Sequence, residues 1–83
     1  MKKRKVFIQL HKHSILRAFD KYNRQISVVW KYISYNKYRV IVNHYDSEGY
    51  YVAQGYSGFD MTTDELEKFL DQIKGKANTL EVG

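Results

Sequence analysis

The chain has 83 residues, 14 Lys and Arg against 9 Asp and Glu, and neither Cys nor Pro, a size expected to form one domain with a modest core. Without Cys there is neither a disulfide framework nor a thiolate metal site, so packing must supply the stability, which suits a reducing cytoplasm. The net charge of +5 conceals an asymmetry: up to His44 there are eleven Lys/Arg against Asp20 alone, and beyond it three Lys against eight acids. Such a separation favours a polyanionic partner, unless the two halves neutralise each other across the fold.

In chain order, Met1-Lys2-Lys3-Arg4-Lys5 is basic, and Val6–Leu10 is too short an apolar run for a membrane span or a secretory core. Neither export nor membrane insertion is expected, and Lys3–Leu10 reads as a strand. Ser14–Tyr22 fits two structures. Ser14 can cap a short helix that buries Ile15, Phe19 and Tyr22, or Asp20-Lys21-Tyr22-Asn23 can turn a strand Ile15–Phe19 into Gln25–Trp30. The strand is favoured, because a helix of about nine residues is marginal alone.

Gln25–Tyr35, Tyr38–Tyr45 and Tyr50–Tyr56 are rich in β-branched and aromatic residues and are separated by Asn36-Lys37 and Asp46-Ser47-Glu48-Gly49, which predicts an antiparallel meander. Alternation puts Val28, Trp30, Tyr32, Val40, Val42 and Val52 on the core side. It puts Val29, Lys31, Ile33, Tyr35, Arg39, Ile41, Asn43, Tyr45, Tyr51 and Ala53 on the other.

Thr62-Thr63-Asp64-Glu65 is a T-x-x-E capping box with Met61 and Leu66 at the staple positions. Leu66, Phe69, Leu70 and Ile73 recur at i, i+3, i+4 and i+7 and Gly75 follows as a stop, which predicts a helix over 63–74. The expected fold is therefore α+β: an antiparallel sheet of three to five strands with a C-terminal amphipathic helix on one face. Residues 1–76 would form the domain and 77–83 a loose tail.

Few chemistries find their residues here. His11 and His13 share one side of an extended segment, but His44 is the only other imidazole and a catalytic zinc takes about three protein ligands, so no metal or cofactor is expected. No Ser lies in a nucleophile context, and Gly49, Gly55 and Gly58 lack phosphate-loop spacing. The one enzyme class that suits the composition is a small ribonuclease toxin using Lys, Arg, His and Tyr on phosphate.

Nucleic-acid binding, DNA ahead of RNA, has the better physical basis, because cations release counterions from phosphates while aromatic and amide groups stack on or read bases. Lys31, Arg39 and Asn43 interleave with Tyr35, Tyr45 and Tyr51 on the side away from the helix. Arg24, Lys37 and Lys2, Lys3, Arg4 and Lys5 would extend the basic surface. Tyrosines are also ordinary strand residues, which is the plain alternative for them.

Trp30-x-Tyr32, Tyr38-Arg39-Val40-Ile41-Val42, Tyr45-Asp46-Ser47-Glu48-Gly49 and Gly58-Phe59-Asp60-Met61-Thr62-Thr63-Asp64-Glu65 together resemble the arm-type DNA-binding domain of tyrosine recombinases. That resemblance implies a three-stranded sheet that enters a DNA groove, backed by a C-terminal helix. The chain departs from that pattern by an extra residue between Phe59 and the Thr cap, by few Lys or Arg on the third strand and by having no recombinase catalytic domain. Gly55-x-x-Gly58-Phe59-x-Met61-Thr62 is similar to the coactivator-type single-stranded-DNA-binding fold, which implies a dimer. The competing class is a protein-binding inhibitor or accessory factor, encoded by a phage or other mobile element, that acts on an acidic host protein through aromatic anchors among its eight Tyr and one Trp. A partner or a second copy, as in a homodimer, would then cover Val29, Ile33 and Ile41.

Overall fold

Two hairpin loops repeat one piece of chemistry. In Asp20-Lys21-Tyr22-Asn23-Arg24 and Asp46-Ser47-Glu48-Gly49-Tyr50 the first carboxylate oxygen accepts two backbone N–H groups, from Tyr22 and Arg24 at 2.8 and 3.0 Å in one loop and from Glu48 and Tyr50 at 2.9 Å each in the other. The fourth residue of each takes a positive φ, 63° at Asn23 and 89° at Gly49, as a three-residue hairpin loop closed by a left-handed residue requires. The loops touch: the Asn23 side-chain amide donates to the Ser47 carbonyl at 3.2 Å. The computed structural model describes residues 8–83, the side chains of Tyr56, Ser57 and Phe59 excepted.

These turns join β1 (Ile15–Phe19) to β2 (Gln25–Ser34) and β3 (Lys37–Tyr45) to β4 (Tyr51–Met61), and Tyr35-Asn36 joins β2 to β3. After β4 comes α1 (Thr63–Lys76), then β5 (Thr79–Val82). The strands form one antiparallel sheet in the order β4-β3-β2-β1-β5, so the fold is α+β as predicted. The undecided segment after Ser14 is a strand. The segment expected as a loose tail, 77–83, is instead largely β5, in register with β1 from Leu16↔Val82 to Phe19↔Thr79 and anchored where Ser14 N–H donates to the Gly83 carbonyl at 2.8 Å. Of the strand expected at Lys3–Leu10, residues 3–7 lie outside the described residues; Gln9–His13 forms a turn in which Lys12 and His13 donate to the Gln9 carbonyl.

The helix begins at the predicted capping box, Glu65 N–H to Thr62 Oγ1 at 3.2 Å and Thr62 N–H to Glu65 Oε1 at 2.9 Å. Asn36, with φ 54° at the β2–β3 tip, accepts the Thr63 N–H at 3.0 Å and so ties hairpin to helix. Gly75 is not the stop: the helix runs through it to a cap at Ala77, with Lys74 and Lys76 in the last turn, where cations favour the dipole.

Because α1 leaves one edge strand and delivers the chain to the other, it must cross the sheet. Its 14 residues give about 21 Å at 1.5 Å per residue, matching the ~19 Å that separates the outer strands of a five-stranded sheet. It starts at the β2–β3 hairpin end of the sheet, beside Met61, and finishes at the opposite end, the Asp20/Asp46 loop end, where Asn78 N–H donates to the Phe19 carbonyl at 2.8 Å. A diagonal helix leaves two corners of its face bare. At the first, near β1 and β2, Ile8 and Leu10 are buried, and the Trp30 indole N–H donates to the Leu10 carbonyl at 3.0 Å. Under the helix, Leu66 and Leu70 close a core with Leu16, Val28, Trp30, Val40 and Val42.

Two predicted core residues are not core: Tyr32 is 60% and Val52 61% exposed. Tyr38, opposite Tyr32 and edge-to-face with it at 5.7 Å, is the buried member of that pair. Val52 falls at one of the three places where β4, eleven residues long, slips register against Tyr38–Tyr45, and it has no partner on β3. Each bulge shifts the phase of alternation and twists the edge. Ala53, expected on the open face, consequently pairs with His44 and shares its side.

Candidate functional site

The sheet face away from α1 has no cover among the described residues, and its side chains form rows across the strands. One row joins Lys31, Arg39 and Asp60. Next come Ile15, Val29 and Ile41, and after them Glu81, Arg17, Ser27, Asn43 and Gln54. The last row is Thr79, Phe19, Gln25, Tyr45 and Tyr51. Rows on one face lie two residues apart, about 7 Å. The apolar row is half-buried, and Ser27 reaches 4% exposure between Arg17 and Asn43.

Five of the predicted residues, Lys31, Arg39, Asn43, Tyr45 and Tyr51, are thus brought onto one surface. The Tyr45 and Tyr51 rings meet edge-to-face at 6.0 Å. Lys37 begins β3 on the same side, next to the charged row. Tyr35 leaves that surface: it is 91% exposed at the β2–β3 tip. Arg24 stands at the loop end, bonded to Asp20 at 2.8 Å and lying over the Tyr22 ring at 4.9 Å, with Lys21 also over that ring at 5.1 Å. Lys2, Lys3, Arg4 and Lys5 lie outside the described residues.

Alternation along β1 from Leu16 and Ala18 marks Arg17 as an open-face cation, one that remains hidden while the segment is undecided between helix and strand. Two of the cations face acids, Arg39 with Asp60 at 3.3 Å and Arg17 with Glu81 at 3.8 Å. All four groups are substantially exposed, so these pairs are screened and contribute roughly 0–1 kcal/mol. Among the described residues no acid lies within ion-pair distance of Lys31 or Lys37. The face is therefore cationic towards the β2–β3 hairpin and aromatic and amide-rich towards the opposite end.

The second bare corner of the helix face is a cleft of about 650 Å³ between the last turns of α1 and the loop ends of β2, β3 and β4. Its walls are mainly apolar, from Phe69, Ile73, Val42 and Ile26, while Arg24, Gln25, His44, Gln72 and Lys76 reach its rim. A Cβ on Gly55 would stand 2.8 Å from His44 Nε2, so the imidazole lies against β4 only because residue 55 has no side chain. No local pattern announces this cleft, since it follows from the path of the helix.

Among the described residues no group of three His, Asp or Glu side chains is placed to hold a metal, and no helix is long and apolar enough to cross a membrane. Compared with protein-family models, curated proteins and solved structures, the chain finds no match in any of the three.

Proposed function

We propose that this chain binds nucleic acid, DNA ahead of RNA, through the open face of its sheet, in a cytoplasmic setting and without catalysis. One observation carries the reading: Lys31 and Arg39 stand directly opposite each other on adjacent strands. Like charges so placed destabilise a sheet, and Asp60 relieves only one of them. A polyanion offsets the repulsion and releases counterions as it binds. Phosphates would take Lys31, Arg39 and Lys37, while Tyr45, Tyr51 and Asn43 offer stacking surfaces and an amide about 13–20 Å further along the strands, at about 3.3 Å per residue.

The consecutive exposed residues Tyr50, Tyr51 and Val52 at the start of an edge strand support a second reading, an acidic protein partner seated on aromatic anchors. Fluorescence anisotropy of labelled oligonucleotides over a salt series separates the two. Affinity should fall linearly with salt on logarithmic axes, and Lys31→Ala should lower the slope by about 1. Absence of binding at low salt sinks the nucleic-acid reading and leaves the protein partner.

A further inference from the structure

We infer that the cleft at the loop end of α1 receives an unstacked base of a single-stranded nucleic acid whose backbone lies on the open face, an assignment that rests on the nucleic-acid reading. The cleft opens on the helix side of the sheet and meets the open face at the loop end. Phe19, Gln25 and Tyr45 occupy the last row of the open surface and also line the cleft, so a strand passing Tyr51 and Tyr45 reaches it by turning round that end of the sheet.

The lining selects the occupant. A nucleobase has apolar faces and an edge that both donates and accepts hydrogen bonds. Here Phe69, Ile73 and Val42 present apolar walls, while Gln25 and Gln72 each supply a donor and an acceptor at the rim. Lys76 puts a cation at the cleft, where the phosphate of an inserted nucleotide would lie, and Arg24 a second one, paired with the Asp20 carboxylate that also lines it. The His44 imidazole, pressed on Gly55, adds a flat polar ring. The volume suits a small guest, since such sites run from roughly 300 to 1,000 Å³. An extended peptide fits less well, because the adjacent edge strand β4 slips register three times and lacks the regular ladder that strand addition needs. A duplex could supply a base only after extruding it, so single strands are the substrate class.

The test uses the full chain and three oligonucleotides of one length: a single strand, its duplex, and the single strand with abasic sites at successive positions. The intact single strand should bind most tightly, and one abasic position should weaken it by roughly 5- to 150-fold, the range for loss of one stacked base. Ile73→Trp, which fills the cleft, should cause at least the same loss and abolish the sensitivity to abasic sites. Val52→Trp, at the exposed rim, serves the same purpose should Ile73→Trp fail to fold. Lys31→Ala should do the reverse, lowering the slope and keeping the abasic effect. Equal binding of duplex and single strand with abasic sites harmless overturns the cleft assignment alone and leaves the cleft to an apolar side chain of a partner. No binding of any oligonucleotide at low salt overturns the open-face reading as well.

Discussion

The two faces of the sheet are written by the same strands in similar residues, yet they differ in what they do for the fold. Leu16, Val28 and Val40 are fully buried beneath α1, whereas Val29 and Ile41, one position away, are only half-buried, and Ile33 is exposed. Alternation decides which residues share a face. A helix on one side decides which face becomes core. Stability should therefore concentrate on one face and binding on the other.

The sharpest way to break that comparison is a matched pair of truncations. Leu70→Ala removes a side chain that is 2% exposed and packed on the core, and should cost about 2–5 kcal/mol in urea unfolding. Ile41→Ala on the open face should cost clearly less, because solvent replaces the lost contacts. Equal costs would mean that the open face is also core, covered by something that the described residues do not include.

A smaller effect of opposite sign sharpens the same contrast. Lys31→Glu turns a like-charge cross-strand pair into an opposite one, and should raise stability by a few tenths of a kcal/mol to about 1 kcal/mol. If the face binds polyanions, the same substitution should weaken nucleic-acid binding and flatten its salt dependence. Gained stability with unchanged affinity would remove Lys31 from the interface.

How much of this was legible in the sequence depended on how local the cause was. The Thr62–Glu65 capping box and the Leu66, Phe69, Leu70 and Ile73 stripe are short-range signals, and the helix starts where they predict. Its end is less legible: a helix survives one glycine in its last turn at a cost near 1 kcal/mol, so Gly75 does not terminate it. β5 was hidden because four residues, Thr79–Val82, become a strand only through pairing with β1, itself undecided between helix and strand. The open-face positions of β2 and β3 followed from alternation. Those of β4 did not, since each bulge resets the phase: Ala53 joins the helix side for that reason, while Val52 keeps that side, at the cleft, but lies exposed. Tyr32 shares its face with Tyr38 at the hairpin end, and it is Tyr38 that is buried there while Tyr32 is exposed. The cleft is the least local feature, a corner left by a helix that has to connect opposite edges.

The smallest effect concerns the two matching loops at the cleft's end of the sheet. Both carboxylates accept two backbone N–H groups, but only Asp20 also holds a cation, Arg24 at 2.8 Å. Desolvation pushes the Asp20 carboxyl up, but the hydrogen bonds from the Arg24 backbone, the Arg24 side chain and the Tyr22 backbone, with the Arg24 charge, outweigh it and hold the group below its ordinary value. A carboxyl whose folded value is depressed contributes stability above the unfolded value and loses it as pH falls through the folded one. Comparing urea midpoints of the wild type and Asp20→Asn from neutral pH downwards should show a difference that is constant above about pH 5 and shrinks below about pH 4. Arg24→Ala, in contact with Asp20 and reaching the cleft rim, should narrow the same acid window and also weaken oligonucleotide binding, whereas Asp20→Asn should leave binding unchanged or strengthen it by freeing the guanidinium. Weaker binding in Asp20→Asn would mean that the carboxylate is needed to aim Arg24 at its phosphate.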